Sequence, residues 1–139
     1  MVMKLSSANP SKYVSWKELA CKDGTEYPYK WRLTRLPQLV AAFETIRAAF
    51  GNKPIIILSA YRTSKYNRKI GGALRSQHIE GRALDLKPPT GITVNEFFEV
   101  IKKFAPDLKI GGIGRYPTFV HIDTRPGRLV VWHGTRTQN

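Results

Sequence analysis

The side chains that could do chemistry in this 139-residue chain are few: 3 histidines, 10 carboxylates and 1 cysteine. One segment, Ser76-Gln-His78-Ile-Glu-Gly81-Arg-Ala83-Leu-Asp85, pairs an imidazole with a carboxylate across a glycine. Zinc takes these donors at ~2.0–2.2 Å, and a catalytic zinc keeps three protein ligands plus an open position. If Arg82 to Leu86 is a strand, Ala83, Asp85 and Lys87 share one face. Gly81 then permits the turn that returns His78 over that face. By itself this pair is a weak signal. The second half is Phe119-Val-His121-Ile-Asp123, where a period of two sends His121 and Asp123 to one face and Val120 and Ile122 to the core. Together the segments offer a His-Asp-His set, although each histidine taken singly reads more readily as a hydrogen-bonded structural residue. His133, beside Trp132, reads as a surface histidine. The lone Cys21 excludes an intramolecular disulfide and a Cys-rich zinc site, and reads as a semi-buried structural thiol.

The elements that must position these groups are legible from periodicity. Ser15 to Ala20 reads as a short helix with Ser15 as N-cap and Glu18 closing a capping box. Cys21 to Trp31 reads as a packed loop. Leu36 to Phe50 carries an apolar stripe at helical spacing, with Pro37 in its first turn and Gly51 at its end. Pro54 to Leu58 is a β-branched apolar run and predicts a buried strand. A short helix follows near Lys65–Ile70, then the Arg82–Leu86 strand, stopped by Pro88-Pro89. Val94 to Phe104 predicts a second amphipathic helix capped by Thr93. Strands Phe119–Asp123 and Arg128–Trp132 close the chain, joined by a turn at Thr124-Arg-Pro-Gly127. Gly111-Gly112-x-Gly114 reads as loop backbone lying close to a cleft, in preference to a phosphate loop. The pattern predicts an α+β fold in one small domain over residues 1–139, with a core of about 12–133 and short flexible ends. Its sheet is expected to be mainly antiparallel, with helices packed on one side and the metal site on the open face.

Lys and Arg number 23 against 10 Asp and Glu, a formal charge of +13. Such a surface is drawn to polyanions, with nucleic acid, anionic cell wall and an anionic outer-membrane leaflet all candidates. The basic residues are spread from Lys4 to Arg136, which suits a generally cationic surface better than a DNA-reading arm. A nucleic-acid-binding protein is the weaker alternative, because it leaves the His-Asp-His set unexplained. No stretch approaches the ~20 apolar residues of a membrane span. Met1 to Ser11 has one Lys and no apolar run, which predicts cytoplasmic synthesis without a signal peptide.

Several spaced motifs then agree in order: Ser59-Ala-Tyr-Arg62-Thr, Tyr66-Asn67, Ser76-x-His78-x-x-Gly81-x-Ala83-x-Asp85, Phe119-Val-His121-Ile-Asp123 and a closing Arg128–Trp132 run. From Trp16 to Trp132 the chain resembles the zinc D-alanyl-D-alanine carboxypeptidase family. That family includes the van-type D,D-dipeptidases and the L-alanyl-D-glutamate endolysins of bacteriophages. The resemblance implies a fold like that of the D,D-peptidases and the Hedgehog signalling domain. It implies one zinc ion (Zn2+) per chain, held by His78, Asp85 and His121. Arg62 matches the arginine that holds a substrate carbonyl or carboxylate near the metal, and a planar, always-charged guanidinium suits that task. Ser76 is expected to bind substrate or orient His78.

One departure matters. Many relatives carry a Glu base three residues before the last histidine, where this chain has Thr118. Another branch carries a His two residues before it, where this chain has Phe119. Asp123 is therefore the first candidate for the catalytic base. Its rival role is to fix the tautomer of a ligand histidine, and Glu80 is a weaker candidate base. The expected function is zinc-dependent hydrolysis of the peptide part of bacterial peptidoglycan, as a D,D-carboxypeptidase or an endopeptidase. A monomeric, phage-type endolysin would reach the wall, in the periplasm or outside the cell, after release. Stem peptides are its expected partners, with charge holding it on cell-wall or outer-membrane polyanions. The alternative is a catalytically inactive zinc-binding module of the same fold that binds wall or another partner.

Overall fold

The computed structural model describes residues 8–137. Residues 1–7 and 138–139 lie outside it, and the expectation of short flexible ends falls there. The described residues form four α-helices, α1 (Trp16–Leu19), α2 (Leu36–Ala49), α3 (Ser64–Lys69) and α4 (Val94–Phe104), besides two short 3-10 turns. Five strands, β1 (Ile57–Ser59), β2 (Ala83–Leu86), β3 (Gly112–Arg115), β4 (Val120–Asp123) and β5 (Val130–His133), form one sheet in the order β1-β2-β4-β3-β5. The first three pairings across that order are antiparallel, and β3 with β5 is parallel.

Local chemistry explains the helices. α1 has a complete capping box: Glu18 N–H donates to Ser15 Oγ at 3.1 Å and Ser15 N–H to Glu18 Oε1 at 2.9 Å. α4 repeats the device with Thr93 and Glu96. Each reciprocal cap satisfies two N–H groups that a helix start otherwise leaves bare. α2 buries Leu36, Leu39, Ala42, Phe43 and Ile46, and α4 buries Phe97, Phe98 and Ile101. These stripes share one core with Leu84 and Leu86 of β2, Ile113 of β3, and Val120 and Ile122 of β4. Burying a side chain of this size contributes ~1.5–3 kcal/mol, so the helical face of the sheet carries most of the stabilisation and leaves its other face for chemistry.

The expected helices are all found within a residue or two, and the buried thiol of Cys21 is 3% exposed. The run read as a strand from Pro54 enters the ladder only at Ile57 and continues to Ser59. The larger difference is β3. The stretch read as a glycine loop is a strand in the middle of the sheet, paired on both sides. Its glycines answer to neighbouring side chains. A Cβ at Gly114 would lie 2.6 Å from the Trp132 indole, and one at Gly112 would run into the Asp123 carboxylate.

A buried His-Asp-His centre in a basic cleft

Register places the centre. Asp85 of β2 sits directly opposite His121 of β4, and His121 sits opposite Gly114 of β3, which faces Trp132 of β5. With Ser59 of β1 opposite Asp85, one row crosses all five strands. Because side chains alternate between faces, Leu84, Leu86, Val120 and Ile122 fill the helical core while Asp85, His121 and Asp123 stand on the other side. His78 arrives from outside the sheet. Residues 76–82 form consecutive tight turns, including Ile79 N–H to Ser76 O and Gly81 N–H to His78 O. Gly81 has φ +66°, a backbone that glycine tolerates best, and its carbonyl accepts the Tyr27 hydroxyl at 2.7 Å.

The ligand atoms converge. His78 Nε2, Asp85 and His121 Nδ1 belong to a set whose donor atoms all lie within 4.8 Å of one another, with every member buried. Asp85 Oδ1 is 3.1 Å from His78 Nε2 and 2.9 Å from His121 Nδ1. The tautomers follow from the partners on the far side of each ring. His78 Nδ1 lies 2.6 Å from the Ala60 carbonyl, which can only accept, so the ring proton sits there and Nε2 presents a lone pair. That Nε2 is buried and has no hydrogen-bond partner. His121 Nε2 lies 2.7 Å from Asp123 Oδ2, which assigns a proton to that side and leaves Nδ1, 2.9 Å from Asp85 Oδ1, as the nitrogen that offers a lone pair once its own proton is lost. Two imidazole nitrogens brought to one carboxylate oxygen call for positive charge among them, supplied by a proton on His121 or by a metal. Two nitrogens and one carboxylate in this arrangement fit a divalent metal that accepts imidazole and oxygen donors.

Charge around the centre is organised for the same end. Burial opposes ionisation of Asp85, but the two imidazoles outweigh it and hold the carboxyl well below the usual carboxylate range. Asp123 is buried as well, and hydrogen bonds from Arg125 and His121 keep it ionised. Burial disfavours a charged His121, yet its bonds to Asp123 and Asp85 prevail and lift its pKa to about 9 in the metal-free chain. Burial lowers the pKa of His78. The metal-free centre therefore keeps a second ring proton on His121, at Nδ1, where a metal would otherwise carry the positive charge.

Arg62 is 3% exposed and lies under the centre. Its Nη2 donates to Asp85 Oδ2, its Nε to Ser59 Oγ and its Nη1 to Asn67 Oδ1, at 3.1–3.2 Å. Three of its five N–H groups are thus committed to the protein, and two remain for a ligand. Ser76 Oγ accepts the His78 backbone N–H at 3.2 Å. Arg125 clamps Asp123 through two bonds of 2.7 and 2.8 Å. Thr118 is exposed and donates to Thr137 O, and Glu80 pairs with Arg35 at 3.2 Å. Neither lines the cleft of about 290 Å³ that opens on the centre. Among the described residues, Asp85 is the sole carboxylate in its lining, which also holds Arg62, Arg75, Arg125 and Arg136. His133 is exposed.

Sequence reasoning brought His78, Asp85, His121, Asp123, Arg62 and Ser76 forward, and the fold gathers all six around one centre. It missed the Ala60 carbonyl, Ser59 and Asn67 as partners of this centre, and Arg125, which it assigned to a turn. The spacing of Asp123 and Arg125 was the available signal, since an Asp often binds backbone N–H two residues on; here Arg125 N–H donates to Asp123 Oδ1.

Fold and centre together define a small α+β domain with a His-Asp-His metal site, the arrangement of a metallopeptidase. The peptidase M15 family model matches residues 12–123, and the chain belongs to that family. It is 34% identical over 107 residues to the probable peptidoglycan L,D-endopeptidase MepK of Haemophilus influenzae, an alignment covering 70% of this chain and 54% of that protein. It is 37% identical over 83 residues to the peptidoglycan L,D-endopeptidase MepK of Escherichia coli, covering 55% of this chain and 43% of that one. The chain thus spans about half the length of the relatives it matches.

Proposed function

We propose that this chain is a zinc-dependent peptidase that hydrolyses stem peptides of bacterial peptidoglycan, as an endopeptidase at an L,D bond. The single observation that carries the reading is the convergence of two tautomer-locked imidazoles on Asp85 at the floor of a cleft. Membership of the peptidase M15 family supports hydrolysis, and the names of the two relatives support the wall substrate and the L,D bond. The donor set supports zinc, which binds two imidazoles and a carboxylate as a tetrahedral centre with one open position. When bound, the metal polarises a carbonyl and lowers the pKa of water.

The residues of the chain do the rest. His78, Asp85 and His121 hold the metal, Ala60 and Asp123 keep the two rings in their binding tautomers, and Arg125 keeps Asp123 in place. Arg62 holds Asp85 and turns its two remaining N–H groups to the substrate carbonyl, where they stabilise developing negative charge. Asp123 is fully buried behind His121 and absent from the cleft lining, so its role in this reading is to position His121. Ser76 orients the His78 turn. The formal +13 charge supports retention on anionic wall polymers, and a phage-type lytic setting is part of the same proposal, with a bacterial wall-remodelling enzyme or a virion-borne lysin as its alternatives.

A second reading has one observation in its favour: no carboxylate besides Asp85 lines the cleft among the described residues. A metal-binding module that holds wall peptide without cutting it needs no base. The test is incubation of the purified chain with whole peptidoglycan, zinc-loaded and chelated, followed by mass spectrometry of released fragments. Zinc-dependent fragments with new ends at an L,D bond support the proposal. Tight, stoichiometric zinc without fragments supports the binding module.

A further inference from the structure

The cleft carries more positive charge than its chemistry uses. Of its four guanidinium groups, Arg62 is paired with Asp85 and Arg125 with Asp123. Arg75 and Arg136 line the same cleft and have no carboxylate partner among the described residues. Arg136 is half-buried and held in place, donating from Nη2 to the Ile70 carbonyl at 3.2 Å, and its charge reaches Arg62. Arg75 is exposed on the loop just before Ser76. Gln77 lines the same cleft and holds a buried side-chain oxygen without a hydrogen-bond partner. Cations left without counter-charges in a concave site, next to an acceptor without a donor, call for a ligand with a carboxylate and an N–H group.

We propose that Arg75 and Arg136 form a carboxylate subsite that selects peptides bearing a free carboxylate beside the bond presented to the metal, with Gln77 accepting a peptide N–H. The inference rests on the reading of the cleft as a wall-peptide site. Arginine suits the role, since its planar fork binds carboxylate through two parallel bonds. The site then discriminates against amidated peptide, which offers no charge to the two guanidiniums and places an NH2 group against them.

The test uses two synthetic stem peptides, one with every carboxylate free and one with each converted to carboxamide. Hydrolysis by the zinc-loaded chain is compared with that by Arg75→Gln, Arg136→Gln and the double variant. The wild type is expected to prefer the acid by about 10- to 100-fold in kcat/KM, the worth of one to two charge-assisted hydrogen bonds. The preference resides in KM and collapses in the double variant, and a variant with Arg75→Lys and Arg136→Lys keeps part of it through charge alone. A wild type that treats both peptides alike, or a double variant that keeps the full preference, overturns the subsite. If the wild type cuts neither peptide, the catalytic reading fails. Calorimetric binding of the same pair then decides the subsite separately: tighter acid binding that the double variant loses supports it, and equal binding sinks it.

Discussion

Asp123 Oδ2 lies 2.7 Å from His121 Nε2, while the opposite nitrogen of the same ring faces Asp85 at 2.9 Å. The ring is held between a carboxylate that fixes its proton and one that shares its metal. Carboxylates behind ligand histidines commonly tune metal affinity by 10- to 100-fold. Asp123→Asn is therefore expected to weaken zinc binding by about that factor, measured by competition with a chromophoric chelator. A catalytic base would behave differently: the variant would bind zinc normally and lose hydrolysis.

The metal should also be part of the fold. Zinc bound only by the native chain raises stability by about 2.7 kcal/mol at a free concentration 100 times its Kd. Thermal melts with zinc and with a chelator are expected to differ accordingly. In His78→Ala and His121→Ala the difference should vanish, and elemental analysis should find less than one zinc per chain.

Proton and metal compete for His121. Its folded pKa of about 9 lies above the ordinary histidine value of 6.5, so its proton stabilises the metal-free fold fully below pH 6.5 and ceases to do so as pH rises through 9. Asp85 and Asp123 are shifted downward, so their contribution is present above the ordinary carboxylate pKa of ~3.9 and is lost as pH falls. The metal-free melting temperature should thus be highest near pH 6.5, decline toward pH 9 as His121 loses its proton, and fall on the acid side, where the lowered pKa of His78 favours the unfolded chain. Zinc uptake at pH 7.5 should release about one proton, read by calorimetry in buffers of different ionisation enthalpy. Uptake without proton release would contradict a protonated His121.

Gly114 is fitted to Trp132, whose indole occupies the space a side chain would need. Gly114→Ala is expected to cost about 1–3 kcal/mol by overpacking, seen as a lower denaturation midpoint. Since the indole also packs at 5.2 Å from the His121 ring, zinc affinity should fall with it. A variant as stable as the parent would show that the indole moves aside freely.

The candidate metal ligands were legible because strand periodicity and one turn suggested the set and the family resemblance completed it. A period of two is enough to put His121 and Asp123 together, and Gly81 is enough to reverse the chain before Asp85. β3 was not legible, since glycine is depleted in strands and Gly112 and Gly114 carry no strand signal. Their reason lies in Asp123 and Trp132, neighbours only once β4 and β5 have paired with β3.

By itself, then, the sequence determined the helices and the sidedness of β2 and β4, set by interactions within a few residues of the chain, and it offered the candidate donors. Tertiary structure alone decided the register that sets Asp85 opposite His121. It also brought the Ala60 carbonyl to His78 across 18 residues and placed Arg62 beneath Asp85 across 23. Tautomer and charge depend on such distant partners, because a ring nitrogen keeps or gives up its proton according to the atom that faces it. Which role Asp123 plays rested on that same fact, for its position behind His121 rather than beside the open cleft exists only in the folded chain.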